Sequence, residues 1–138
     1  MAVTYLASLK TNRLNLVVNA LGTATAPTIS VTGTATGTLV IGTSALFGAT
    51  GVLATITLST TPATVAGSVL TISGTTLSAT ASATGTAALA ELRNNAGTVI
   101  VSGLTVTATG GGGDIIINST SITSGQTVQL TSGTITHA

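Results

Sequence analysis

Residues 91–102 read Glu91-Leu92-Arg93-Asn94-Asn95-Ala96-Gly97-Thr98-Val99-Ile100-Val101-Ser102, and this stretch decides the fold class. Asn and Gly both tolerate positive φ, so Asn94–Gly97 suits a type I turn followed by a left-handed Gly, which closes a hairpin with a bulge. The turn joins a strand over 86–93 to a return strand over 99–102. Beyond it, Leu104-Thr105-Val106-Thr107-Ala108-Thr109 alternates with Thr outward. Asp114–Ile117, Gln126–Thr131 and Thr134–His137 follow as strands, with a turn at Ser124-Gly125. Upstream, 38–43, 52–59 and 68–73 read the same way, the second broken by Thr61-Pro62. Strands about every ten residues with turns between predict an all-β chain, mainly an antiparallel β-sandwich or jelly roll.

Composition agrees. The 138 residues include 32 Thr and 17 Gly, with 43% hydrophobic residues and only one Phe and one Tyr. Thr is β-branched and favours strands, and the core must be built from Ala, Val, Leu and Ile. Disordered chains are poor in aliphatics and rich in net charge; this one has net charge +1 and mean hydropathy +0.71. A Thr/Gly-rich solenoid would need a repeat period, and none is visible.

One segment departs from the β pattern. Leu6, Leu9, Leu14, Val17, Val18 and Leu21 recur at helical spacing, predicting one N-terminal α-helix over 4–21, with Thr4 as cap and Gly22 as stop. Asn12, Asn15, Asn19, Lys10 and Arg13 fall mostly off that stripe. Lys10 and Arg13 are therefore candidate assembly contacts, against the alternative of a solvated face on a helix packed into the core. The expected organisation is a single domain: helix over 1–22, a low-complexity linker or edge strand over 23–37, and a β-sandwich body over 38–138. Pro27 argues against a central strand in the linker.

Charge excludes most functions. Only Lys10, Arg13, Glu91, Arg93 and Asp114 carry formal charge, 4% of the chain against roughly 25% in an ordinary soluble domain. Nucleophilic catalysis needs an oriented base, and the lone histidine is the penultimate residue, His137. Glu91 and Asp114 are far apart in sequence, which disfavours paired-carboxylate chemistry. No catalytic residues, metal site or cofactor are expected, and no small-molecule substrate. Three basic and two aromatic residues make no nucleic-acid surface. No cysteine is present, so no disulfide or thiolate site is expected. The N-terminus does not read as a signal peptide, and no apolar run suggests a membrane span. The Gly110–Gly113 run lacks the Gly-Lys-Ser/Thr of a phosphate loop and is read as a flexible loop. Glu91 and Arg93 are read as a surface pair, contributing at most about 1 kcal/mol. Thr105, Thr107 and Thr109 would be the best segment of an ice-ordering ladder, though outward Thr is the ordinary polar face of a strand. A surface of Thr, Ser, Asn, Gly and Ala loses little charge solvation when buried, and flat uncharged edges invite pairing. That suits a structural subunit, a homo-oligomer such as a dimer or trimer.

Several segments together resemble a group of small tailed-bacteriophage virion proteins. They are Ala83-Thr84-Gly85-Thr86-Ala87, Leu92-Arg93-Asn94-Asn95-Ala96-Gly97, Asp114–Ile122, Ser124-Gly125-Gln126-Thr127-Val128 and Thr134-Ile135-Thr136-His137. Gly37-Thr38-Leu39-Val40-Ile41-Gly42-Thr43 matches the "Gly-x-Leu-x-Ile-Gly-Thr" stretch of that group. The resemblance spans most of the chain except 23–36, which looks like an insertion. Leu89 and Asn94 stand where the group often has aromatic and acidic residues. The resemblance implies a non-enzymatic virion protein, a capsid decoration (cement) protein that bridges neighbouring capsid subunits. It would be located in the virion and assembled in the host cytoplasm, with the major capsid protein, other virion proteins and itself as partners. A tail, neck or baseplate component is the alternative. A Thr-rich extracellular adhesin or fibre module is the third reading.

Overall fold

The Asn94–Gly97 turn forms as its residues dictate in the computed structural model, which describes residues 6–22, 37–59, 62–73 and 77–137. The Gly97 N–H donates to Asn94 O at 3.0 Å, and Gly97 has φ +84°. Asn94 Oδ1 accepts from the Ala96 and Thr98 amides, both at 3.0 Å. The turn's donors are therefore satisfied by its own first side chain.

The described residues form an all-β fold with one N-terminal helix; 54% lie in strands. The helix, α1, is Ala7–Gly22. The strands are β1 Thr38–Phe47, β2 Thr50–Thr57, β3 Ala63–Ala66, β4 Val69–Ile72, β5 Ser78–Thr80, β6 Gly85–Thr86, β7 Leu89–Arg93, β8 Val99–Ala108, β9 Ile115–Ile117, β10 Ser121–Ile122 and β11 Thr127–Thr136. Nine of them make one sheet in the order β2-β1-β7-β8-β9-β11-β4-β3, with β5 also on β11; β10 and β6 make a separate ribbon. Two long strands each pair with several partners and so hold the sheet together. β8 pairs with β7 through residues 99–105 and with β9 through 106–108. β11 pairs in turn with β5, β9 and β4. The sheet also curls back on itself, since the Ser82 amide, just beyond β5, donates to Leu53 O of β2 at 2.8 Å.

Two hairpins are not expected from the sequence. β1 continues past Thr43 to Phe47 and returns through Gly48-Ala49, and β3 returns to β4 through Gly67-Ser68. In both, the first loop residue is Gly at positive φ, +59° and +62°. With the second residue at negative φ, this matches a II′ turn, whose twist suits a hairpin. Bulges bend the strands near these turns. Ala90 and Leu92 of β7 face Leu104 and Val101 of β8, so β8 carries an extra residue there, beside Gly103 at φ +73°.

The core is aliphatic, built on Leu39, Ile41, Ile56, Leu70, Leu92, Ile115, Ile117, Val128 and Leu130. α1 packs on β3, β4 and β8 and buries Leu14, Val18 and Leu21. Leu9, assigned to the same stripe, is exposed: five residues at 100° each place it ~140° round from Leu14. Asn19, assigned to the polar side, is buried. It lies near the helix's last turn, where a Cβ on Gly37 would approach Leu21 O to 2.8 Å and Arg93 O to 2.7 Å. The chain therefore closes round that turn. Thr4 and residues 23–36 of the 23–37 linker lie outside the described residues.

β8 and β9 pair in parallel, although only residues 109–114 connect them. Parallel neighbours ordinarily need a crossover of a dozen or more residues. Here Val106 pairs with Ile115, so the chain must double back two residues from the end of β8, ~7 Å. The glycine run makes that return, and it is tied down rather than slack. The Gly113 amide donates to Thr107 Oγ1 at 3.1 Å, and Asp114 Oδ2 accepts from Thr105 N and Oγ1 at 2.9 and 2.8 Å. A Cβ on Gly111 would meet Thr107 Cβ and Oγ1 at 2.5 Å. Gly111→Ala is therefore expected to destabilise by about 1–3 kcal/mol, read as a lowered urea midpoint. Gly112→Ala, whose Cβ would meet nothing within 4 Å, should change it little.

Candidate functional site

The site is built where β7 runs between β1 and β8. Ala90 and Leu92 of β7 point into the core, so Glu91 and Arg93 share the opposite face. Two further elements shelter that face. Val40 of β1 pairs with Glu91 and is itself buried, and the tip of the β1–β2 hairpin bends over, presenting Gly48 O to the guanidinium. Arg93 Nη2 donates to Glu91 Oε2 at 2.7 Å and to Gly48 O at 2.6 Å, while Arg93 Nε donates to the same Oε2 at 3.1 Å. The side chains are only 16% (Arg93) and 8% (Glu91) exposed. The expectation of a surface pair is thus corrected: two residues apart on a strand predicts the pairing, but the long β1–β2 hairpin buries it.

Beside this pair lies a cleft of about 460 Å³, walled by Leu46, Phe47, Gly48, Leu89, Ala90, Glu91, Val99, Ser102 and Gly103. Its lining is apolar apart from Glu91 and Ser102. Phe47, the chain's single Phe, stands on the rim 82% exposed, and Val99 is also exposed. Aromatic side chains are enriched at protein interfaces relative to the rest of the surface. Glu91 Oε1, unlike Oε2, accepts no hydrogen bond from any described residue, but it is open to solvent rather than buried. Nothing in the cleft offers a nucleophile with an oriented base; what the arrangement can do is bind. The strand expected over 38–43 stops four residues short of Phe47, so the sequence does not place this Phe beside a hairpin turn. The available signal was one Phe directly before Gly-Ala in a chain otherwise almost free of aromatics.

The residues singled out from the sequence lie elsewhere. Lys10 is half-exposed on α1. Arg13 is half-buried, its Nη1 3.4 Å from His137 Nε2 at the end of β11, and the Thr11 hydroxyl donates to Gly67 O in the β3–β4 turn. The polar side of this helix thus faces the chain's own body at Thr11 and Arg13. Neither basic residue lines the cleft. The Thr105 and Thr107 hydroxyls are engaged by Asp114 and Gly113, and Thr109 lies in the turn after β8. The proposed ice-ordering ladder is therefore not a free row of hydroxyls. Among the described residues, no three His, Cys, Asp or Glu side chains gather as a metal site, and no helix is long and apolar enough to cross a membrane. Comparisons with family models, with curated proteins and with solved structures give no match to this chain.

Proposed function

We propose that this chain is a non-enzymatic structural protein of a tailed-bacteriophage virion, a capsid decoration protein that stabilises the head by bridging neighbouring capsid subunits. The observation that carries the reading is an apolar cleft rimmed by the exposed Phe47 on a chain with only 4% charged residues. Such a surface docks against another protein with little charge to desolvate, and many weak copies on one shell gain by multivalency. The resemblance of the hairpin, the Gly37–Thr43 stretch and the C-terminal strands to small virion proteins supports the same role.

Quantifying the protein in purified particles tests this. Hundreds of copies per particle are expected for a head protein. A small number matching tail symmetry would move it to the tail, neck or baseplate, and absence from particles would sink the virion role. Phe47→Ser should leave the melting temperature nearly unchanged, since the side chain is exposed, yet weaken binding to heads about 30-fold or more, the loss typical of an interface anchor. Undiminished binding of that variant would remove the cleft rim from the contact.

A further inference from the structure

The β1–β2 hairpin is interrupted partway along. Thr38–Ile41 pair one for one with residues 57–54, and Gly42 pairs with Val52, but the next pair is Phe47 with Thr50. Residues 43–46 of β1 therefore stand opposite Gly51 alone, far more than the one extra residue of an ordinary bulge. The strands pinch together here, since a Cβ on Gly42 would lie 2.7 Å from Gly51 O. Within the bulge the Ala45 amide donates to Thr43 Oγ1 at 3.2 Å, a bond made inside the segment and outside the ladder. Beyond it, Phe47, Gly48, Ala49 and Thr50 are all exposed. Among the described residues, the tip's one hydrogen bond to the body is Gly48 O accepting from Arg93 Nη2 at 2.6 Å. The tip also walls the cleft: Leu46, Phe47 and Gly48 stand on it, facing Leu89, Val99 and Ser102 of β7 and β8.

We propose that residues 43–51 form a hinged flap. It bends at the Gly42–Gly51 pinch, where no ladder pair has to break, and lays Phe47 on Leu89 and Val99, closing the cleft. Arg93 is the latch that holds it open. Apolar surface on both walls favours closure. The Gly48–Arg93 bond opposes it, and Glu91 fixes the guanidinium for that bond by accepting from Nε and Nη2 through Oε2. Hydrogen bonds from a charged donor are roughly twice as strong as neutral ones, so the latched form predominates and the closed form is a minor state. A minor state adds little to stability, in keeping with the nearly unchanged melting temperature expected of Phe47→Ser. Closure withdraws Phe47 from the surface. On the proposed function the latch therefore keeps the anchor presented, while the flap itself rests on the hairpin geometry alone.

Amide relaxation dispersion on the isolated full chain tests the flap, since closures of this kind run on the microsecond-to-millisecond scale. Exchange is expected at the amides of 46–50, Leu89 and Val99, and not at 38–41. Phe47→Ser should quench it at Leu89 and Val99, because the ring that alters their surroundings is gone. The double variant Glu91→Leu/Arg93→Met removes the latch and should raise the closed-to-open ratio about tenfold or more. Phe47 is the chain's single Phe, so its ring resonances are assigned without ambiguity. In the double variant they should show NOEs to the Leu89 and Val99 methyls. Absence of exchange at 46–50, exchange equally strong at 38–41, or exchange at Leu89 and Val99 that survives Phe47→Ser would each overturn the proposal. So would a folded double variant whose Phe47 ring shows no such NOEs. None of these measurements uses heads or particles, so the flap and the virion role fail separately.

Discussion

Glu91→Ala is expected to destabilise the protein by about 3–5 kcal/mol, the range for removing one member of a buried ion pair. The loss comes less from the missing attraction than from what remains. Arg93 would stay sheltered under the β1–β2 hairpin, its side chain 16% exposed, with Nε and part of Nη2 deprived of their acceptor. Only Gly48 O, at 2.6 Å, would still accept from it. The double variant Glu91→Leu/Arg93→Met separates these causes. Exchanging a buried pair for apolar side chains of similar volume is often neutral or stabilising, so the double variant should recover most of the stability lost by Glu91→Ala. Urea denaturation of both variants checks this. A loss below about 1 kcal/mol for Glu91→Ala would mean that the pair behaves as a solvated one.

Ile117→Ala is expected to cost about 2–5 kcal/mol, as for other fully buried aliphatic truncations. Ile117 has no exposed surface and lies on β9, the three-residue strand that holds β8 to β11. It pairs with Ala108 on one side and Leu130 on the other. No aromatic lies in the described core to move into the space, so little collapse is expected. Calorimetry should show one transition at lower temperature. Two separated transitions would mean that β9 couples halves able to unfold independently. Ile116→Ala, on the other face of the same strand and only partly buried, should cost less.

Local chemistry explains which parts of this fold can be read along the chain. The Asn94–Gly97 hairpin is legible because its determinants, one Asn side chain and one left-handed Gly, lie within the turn. The helix is legible from the Leu14, Val18, Leu21 spacing. The long strands are not. Gly103 and Gly133 look like breaks, yet β8 passes through one and β11 through the other. At Gly133 a Cβ would approach Ile72 Cδ1 to 2.7 Å, so the glycine marks close packing, not the end of a strand. Gly110–Gly113 reads as a slack loop because nothing local says that β9 must lie parallel to β8. The side chains that hold the loop, Thr105, Thr107 and Asp114, become relevant only after that pairing forms.

The cleft follows the same division. Sparse charge, an aliphatic core, strand-forming Thr and the Glu91–Arg93 pairing are all determined by the sequence itself, since each depends on residue type or on neighbours two to four positions away. Where the pair is buried, and what it adjoins, was decided by tertiary structure alone. Arg93 and Gly48 are 45 residues apart, and they meet because bulges bend the β1–β2 hairpin over β7. That contact shelters an ordinary strand-face ion pair and sets its Glu91 into the wall of an apolar cleft, with Phe47 at the rim. No periodicity along the chain encodes such a meeting, because it depends on the accumulated twist and register of four strands.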